Sequence, residues 1–174
     1  MFKNFVELLS ALNAKRVRYL IVGGYAVIFH AQPRATKDLD ILIRADPRNA
    51  VAVYAALQEF GAPVRSFGPS DFTQPGFFFR IGRPPQAVDI LLDISGIDFD
   101  DAWAHRVRRV VDPETGLKAN IISADDLIAA KLASGRPQDL ADVAALREAD
   151  EAGRAASSQP KLKKRKHAKG RSRR

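Results

Sequence analysis

The sequence predicts an α/β (α+β) domain over residues 1–150, a mixed β-sheet with helices packed on it. C-terminal helices and a disordered basic tail over 151–174 complete the chain. Three observations carry this. Short β-branched runs alternate with segments of helical period, in the order helix, strand, helix, strand, helix, strands, helices. The chain has 174 residues, 46% of them apolar, which suits one domain with one core. Its charge is unevenly divided along its length.

The elements follow in order. Phe2, Phe5, Leu8, Leu9 and Leu12 recur at helical spacing, with Asn4, Glu7, Ser10 and Asn13 between them, and predict an amphipathic first helix. Residues 17–22 (VRYLIV) read as a strand that stops at Gly23-Gly24, and Tyr25–Ala31 as a helix. Past Gln32-Pro33, RATKDLDILIR alternates. Thr36, Asp38 and Asp40 fall on one side and Lys37, Leu39 and Ile41 on the other, which predicts a strand with an acidic face. Pro47 opens a helix through Phe60 and Gly61 closes it. Residues 61–75 read as loop or weak edge structure. FFFRIG (77–82) and AVDILLDI (87–94) read as strands joined by GRPP. A helical turn at 98–105, a hairpin from 107–111 and 117–122, a helix capped by Ser123 and running to about Ala133, and a last helix from Pro137 to about Glu148 complete the domain.

Composition removes several functions. With no cysteine, disulfides, zinc–thiolate centres and thiol catalysis are excluded; His30, His105 and His167 are the only nitrogen ligands, so any metal must be held mainly by oxygen. No apolar run approaches the roughly 18 residues of a membrane span, which predicts a soluble, unprocessed, cytoplasmic protein with no membrane partner. Ten of the 28 basic residues lie in 154–174 with no acid among them, leaving 18 basic against 20 acidic residues, a net −2, in 1–153. Such a tail cannot repay its ordering entropy by burial. It suits phosphate contacts with nucleic acid, or serves only as a solubilising extension.

Three features carry chemistry. Gly23-Gly24 lies where a strand turns into a helix, a place where backbone N–H groups can meet phosphate; an ordinary tight turn is the plain alternative. Asp38 and Asp40, two apart on a predicted strand, project from one face, where like charges repel unless a cation shares them. Their apolar neighbours Leu39, Ile41, Leu42 and Ile43 argue against a merely solvated strand end. Asp89, between Val88 and Ile90, becomes a third carboxylate if its strand lies beside theirs. Three such ligands, completed by water and phosphate oxygens, suit Mg²⁺. Asp93 shares a face with Asp89 by parity and is the weaker candidate.

GGYAVIFH, RATKDLDILI and AVDILL, in that order, resemble the nucleotidyltransferase superfamily of the polymerase-beta type. With LIAAKLASGRPQDLADVAAL, the nearer resemblance is to small prokaryotic members of the minimal and abortive-infection toxin type. The match covers roughly residues 17–147. Relatives often carry Lys where Gln138 precedes Asp139. The resemblance implies Mg²⁺-dependent transfer of a nucleoside monophosphate from a nucleoside triphosphate to a hydroxyl of RNA, protein or a small molecule. Asp38, Asp40 and Asp89 would hold two Mg²⁺ ions, and Gly23 and Gly24 would cradle the β- and γ-phosphates. Lys131 and Arg136 would neutralise the triphosphate, and Arg34 and Thr36 would assist from upstream of the carboxylates. Solvated or dipole-pairing roles remain open for these cations, as does pairing of Asp139 and Asp142 within the last helix or with Lys131 or Arg136. The resemblance also implies a cognate toxin or antitoxin. The alternative is a non-catalytic nucleotidyltransferase-like binding module or antitoxin with a nucleic-acid-binding tail.

The remaining candidates are bland. His30 reads as packed or exposed, and His105 and His167 have no partner at telling spacing. Trp103 and Phe77–Phe79 read as core, with base stacking as the alternative.

Overall fold

The computed structural model describes residues 1–32, 35–83 and 86–158. Its elements are α1 (Lys3–Ala14), β1 (Tyr19–Val22), α2 (Gly23–His30), β2 (Leu39–Ile43), α3 (Pro47–Phe60), β3 (Phe78–Ile81), β4 (Val88–Leu91), α4 (Phe99–His105), β5 (Val107–Asp112), β6 (Leu117–Ile121), α5 (Ala124–Ser134) and α6 (Pro137–Ser158), with a 3₁₀ turn at Pro69–Thr73. The expected mixed α/β architecture is present. The strands form one six-stranded sheet in the order β3-β4-β2-β1-β6-β5.

Local chemistry explains the boundaries. Asp46 caps α3 by accepting hydrogen bonds from the backbone N–H groups of Arg48 and Asn49, Pro47 occupies its first turn, and Gly61 ends it in the left-handed region. Ser123 caps α5 by accepting from the N–H of Asp126, and Gly135 closes it. Two boundaries differ from the sequence reading. β2 begins at Leu39, so Asp38 stands just before the strand rather than within it. α6 runs on to Ser158 instead of ending near Glu148, so the tail expected from residue 151 begins as helix. From Gln159 onward, including His167, that expectation lies outside the described residues.

The apolar side chains of β1 and β2 form the centre of the core: Tyr19, Leu20, Ile21, Leu39, Ile41 and Ile43 are all solvent-free. Phe5, Leu8, Leu9 and Leu12 of α1 join them, each contributing about 2 kcal/mol through burial. β1 and β2 pair antiparallel, whereas β2 and β4 pair parallel. That parallel pairing decides the site, because it sets Asp40 opposite Asp89. At the other end of β2, Arg44 grips Asp100 of α4 with Nε and Nη2 at 2.8 and 2.7 Å. Among the described residues, no helix is long and apolar enough to cross a membrane.

Candidate active site

One row of side-chain positions crosses four strands: Arg80 on β3 pairs with Asp89 on β4, Asp89 with Asp40 on β2, and Asp40 with Val22 on β1. Partners in register share a face, so two carboxylates and a guanidinium are neighbours here. Asp38 stands one residue before β2, with Oδ2 3.8 Å from Arg80 Nη2 and Oδ1 buried without a hydrogen-bond partner. The three expected carboxylates are thus gathered at one end of the sheet.

Gly23 makes the second carboxylate possible. It has φ +59°, and a Cβ there would lie 1.9 Å from Asp40 Oδ2. The bare backbone leaves room for the carboxylate, which receives the N–H of Gly24. Burial first, and then the negative charge of Asp89, push the Asp40 carboxyl up to about 6. The glycine turn therefore shapes the acidic strand beside it.

A cavity of about 430 Å³ opens over this row, lined by Gly23, Asp40, Asp89, Asp93, Lys131 and Arg136 among others. The C-terminal helices close it through a charge cluster. Lys131, its side chain 7% exposed, donates from Nζ to Asp139 Oδ1 at 2.9 Å and to Asp142 Oδ2 at 2.6 Å. Arg136 donates from Nε to Asp139 Oδ2 at 2.6 Å, and Gln138 Nε2 lies 3.3 Å from Asp142 Oδ1. Burial raises the Asp139 carboxyl, but the hydrogen bonds from Arg136 and Lys131 outweigh it and hold the group down at about 2. Of the two expected triphosphate partners, Lys131 is thus committed to a buried cluster. Arg136 keeps 75% of its side chain in solvent at the cavity wall.

Of the other expected residues, Arg34 lies outside the described residues. Thr36 is half-buried on the segment leading to Asp38, and Gly24, Thr36 and Asp38 do not line the cavity. His30 is tied to the backbone carbonyl of Ile122 at 2.7 Å. Trp103 stacks on Phe99 with the guanidinium carbons of Arg106 and Arg18 at 3.9 and 5.2 Å from its ring. Phe77 and Phe79 pack edge-on against Phe67 and Phe72.

The residue that sequence reasoning missed is Arg80. Its Nε and Nη2 each approach one oxygen of Asp89 at 2.6 Å. The available signal was a single cation in the strand FFRI, at a position whose partner depends on hairpin register.

A family model described as a nucleotidyltransferase of unknown function (DUF6036) matches residues 1–151. The chain belongs to this family. Asp38 and Asp40, the glycine turn and the later carboxylate thus sit in a nucleotidyltransferase framework that spans the sheet and most of α6. No curated protein matches the chain significantly.

The donor set fits a divalent cation in chemistry: three carboxylates, one with a buried oxygen lacking any partner, beside a glycine whose missing side chain accommodates another. As the side chains stand, no group of three or more acidic or histidine residues among the described residues is arranged to hold a metal ion. Asp89 is engaged by Arg80.

Proposed function

We propose that this DUF6036 member is a Mg²⁺-dependent nucleotidyltransferase that moves a nucleoside monophosphate from a nucleoside triphosphate to a hydroxyl acceptor in RNA, protein or a small molecule. The observation that carries the reading is the register of Asp40 against Asp89, with Asp38 two residues upstream of Asp40 and Gly23 making room. An isolated buried carboxylate is costly, and a row of them asks for cations.

In this reading Asp38, Asp40 and Asp89 supply hard oxygen ligands. Bound Mg²⁺ supplies Lewis-acid polarisation and charge neutralisation at the phosphates. Asp40, its carboxyl raised to about 6 by burial and Asp89, is ionised above that pH and would offer the charged form to the metal. Arg136, exposed at the cavity wall, meets the triphosphate, while Lys131 keeps Asp139 and Asp142 in place and draws on Asp40 electrostatically. The acceptor oxygen bonds to the α-phosphorus and the bond from that phosphorus to the bridging oxygen breaks. Pyrophosphate departs and the hydroxyl proton passes to solvent.

The test is transfer of label from each α-³²P nucleoside triphosphate with Mg²⁺ into total RNA and into lysate protein, with Asp38→Asn as control. Label in one fraction that the substitution removes supports the reading and names the acceptor class. Transfer undiminished in Asp38→Asn and Asp40→Asn refutes it. A second reading, a nucleotidyltransferase-like binding module in a toxin–antitoxin pair, is favoured by the Arg80–Asp89 ion pair, which satisfies the third carboxylate without metal. It expects capture of a cognate partner, or nucleic-acid retention lost on removing residues 159–174, with no label transferred.

A further inference from the structure

The cation that Asp89 already holds is part of the chain. Arg80 lies on the edge strand β3, directly opposite Asp89, and its two 2.6 Å contacts form a parallel fork on the carboxylate. Asp89 is almost wholly buried, its side chain 8% exposed, whereas Arg80 is 44% exposed. The guanidinium carbon lies 5.6 Å from the ring of Phe78, two residues back on the same face of β3. Its Nη2 also leans toward Asp38, whose other oxygen is buried without a partner. One partly exposed cation is therefore engaged with one carboxylate fully and with a second at the limit of an ion pair.

A guanidinium fork takes one lone pair on each oxygen of a carboxylate, and its positive charge, held against both oxygens, repels a divalent cation approaching the pairs that remain. Asp89 therefore binds a metal far more weakly while the fork is closed. We propose that Arg80 is a displaceable internal cation of the carboxylate site. It competes with the divalent cation for Asp89, and the metal-binding arrangement forms only when the guanidinium swings off. This rests on the nucleotidyltransferase reading above and adds a control to it. The released guanidinium is exposed beside the carboxylates, where an anionic phosphate can take it up, so nucleotide and metal favour one another's binding.

The test is Mn²⁺ binding to the full chain without nucleotide, followed by the loss of the free-ion electron paramagnetic resonance signal. Arg80→Gln, which cannot fork onto a carboxylate as a cation, is expected to bind Mn²⁺ at least tenfold tighter than wild type. Arg80→Lys, with a single-point contact, is expected to fall between them, and adding Asp38→Asn is expected to remove the gain. In the wild-type protein, the Arg80 Nε–H resonance, identified by its absence in Arg80→Lys, should shift and lose its protection from exchange as Mg²⁺ is titrated in. That measurement stands even where Arg80→Gln folds poorly. Equal or weaker Mn²⁺ affinity in both Arg80 variants, or an Nε–H resonance unmoved at saturating Mg²⁺, overturns the competition and leaves the proposed activity standing. Failure of every protein to bind Mn²⁺ overturns the competition and the metal-dependent reading together.

Discussion

Gly23 and Asp40 occupy space that only a residue without a side chain can share. The backbone of the turn runs so close to the carboxylate that a Cβ at position 23 would overlap Oδ2 at 1.9 Å. This places a steric requirement at the centre of the candidate site.

Gly23→Ala should therefore destabilise the fold and disable the site together. An alanine there meets both a left-handed φ and an overpacked carboxylate, together about 2–4 kcal/mol. Thermal melting should fall by roughly 5–10 °C for a domain of this size. An unchanged melting temperature would show that the turn relaxes freely and that the close approach is incidental.

Asp40→Asn should do the opposite to stability. Burial and Asp89 raise the Asp40 carboxyl to about 6, so between pH 4 and 6 the folded chain binds a proton that the unfolded chain has lost, and stability falls as pH rises through that window. Above pH 6 the charged form costs on the order of 1–3 kcal/mol, which the neutral amide avoids. The variant should melt higher than wild type at pH 7.5 and at the same temperature near pH 4, while transferring no label. A lower melting temperature at pH 7.5 would contradict the origin given for the shift.

Lys131→Met should be severe, because it leaves Asp139 and Asp142 buried with most of their compensation gone. Breaking such a cluster from one side costs about 3–5 kcal/mol. Arg136→Ala should cost under about 1 kcal/mol and reveal itself in nucleotide affinity instead, since its guanidinium is solvated at the cavity wall. Urea unfolding and nucleotide titration of the two variants separate the roles; similar stability losses would show that Arg136 is equally structural.

Acid should weaken the same cluster from the other side. The Asp139 carboxyl sits near 2 in the fold against an unfolded value near 4, so it contributes about 2 kcal/mol above pH 4 that disappears as pH falls toward 2. Asp139→Asn should flatten the acid limb of the stability curve between pH 4 and 2. A limb of undiminished slope would assign it to other carboxylates.

The mixed α/β class, most element boundaries and the three candidate carboxylates are legible along the chain, because these rest on local signals. Alternation exposed Asp38 and Asp40, an apolar strand isolated Asp89, and Pro47, Gly61, Ser123 and Gly135 punctuate helices through their own backbone chemistry. The end of α6 was not legible, since a weakly amphipathic, alanine-rich helix carries no stop signal until its composition changes. Which charge meets which is settled by packing alone. The parallel register of β2 and β4 sets Asp40 against Asp89, the β3–β4 hairpin delivers Arg80 to the same carboxylate, and the packing of α5 on α6 buries Lys131 between Asp139 and Asp142. Pairing across strands and helices depends on register and docking, where a shift of one residue turns a side chain to the opposite face, and periodicity within a single segment contains no record of its neighbour.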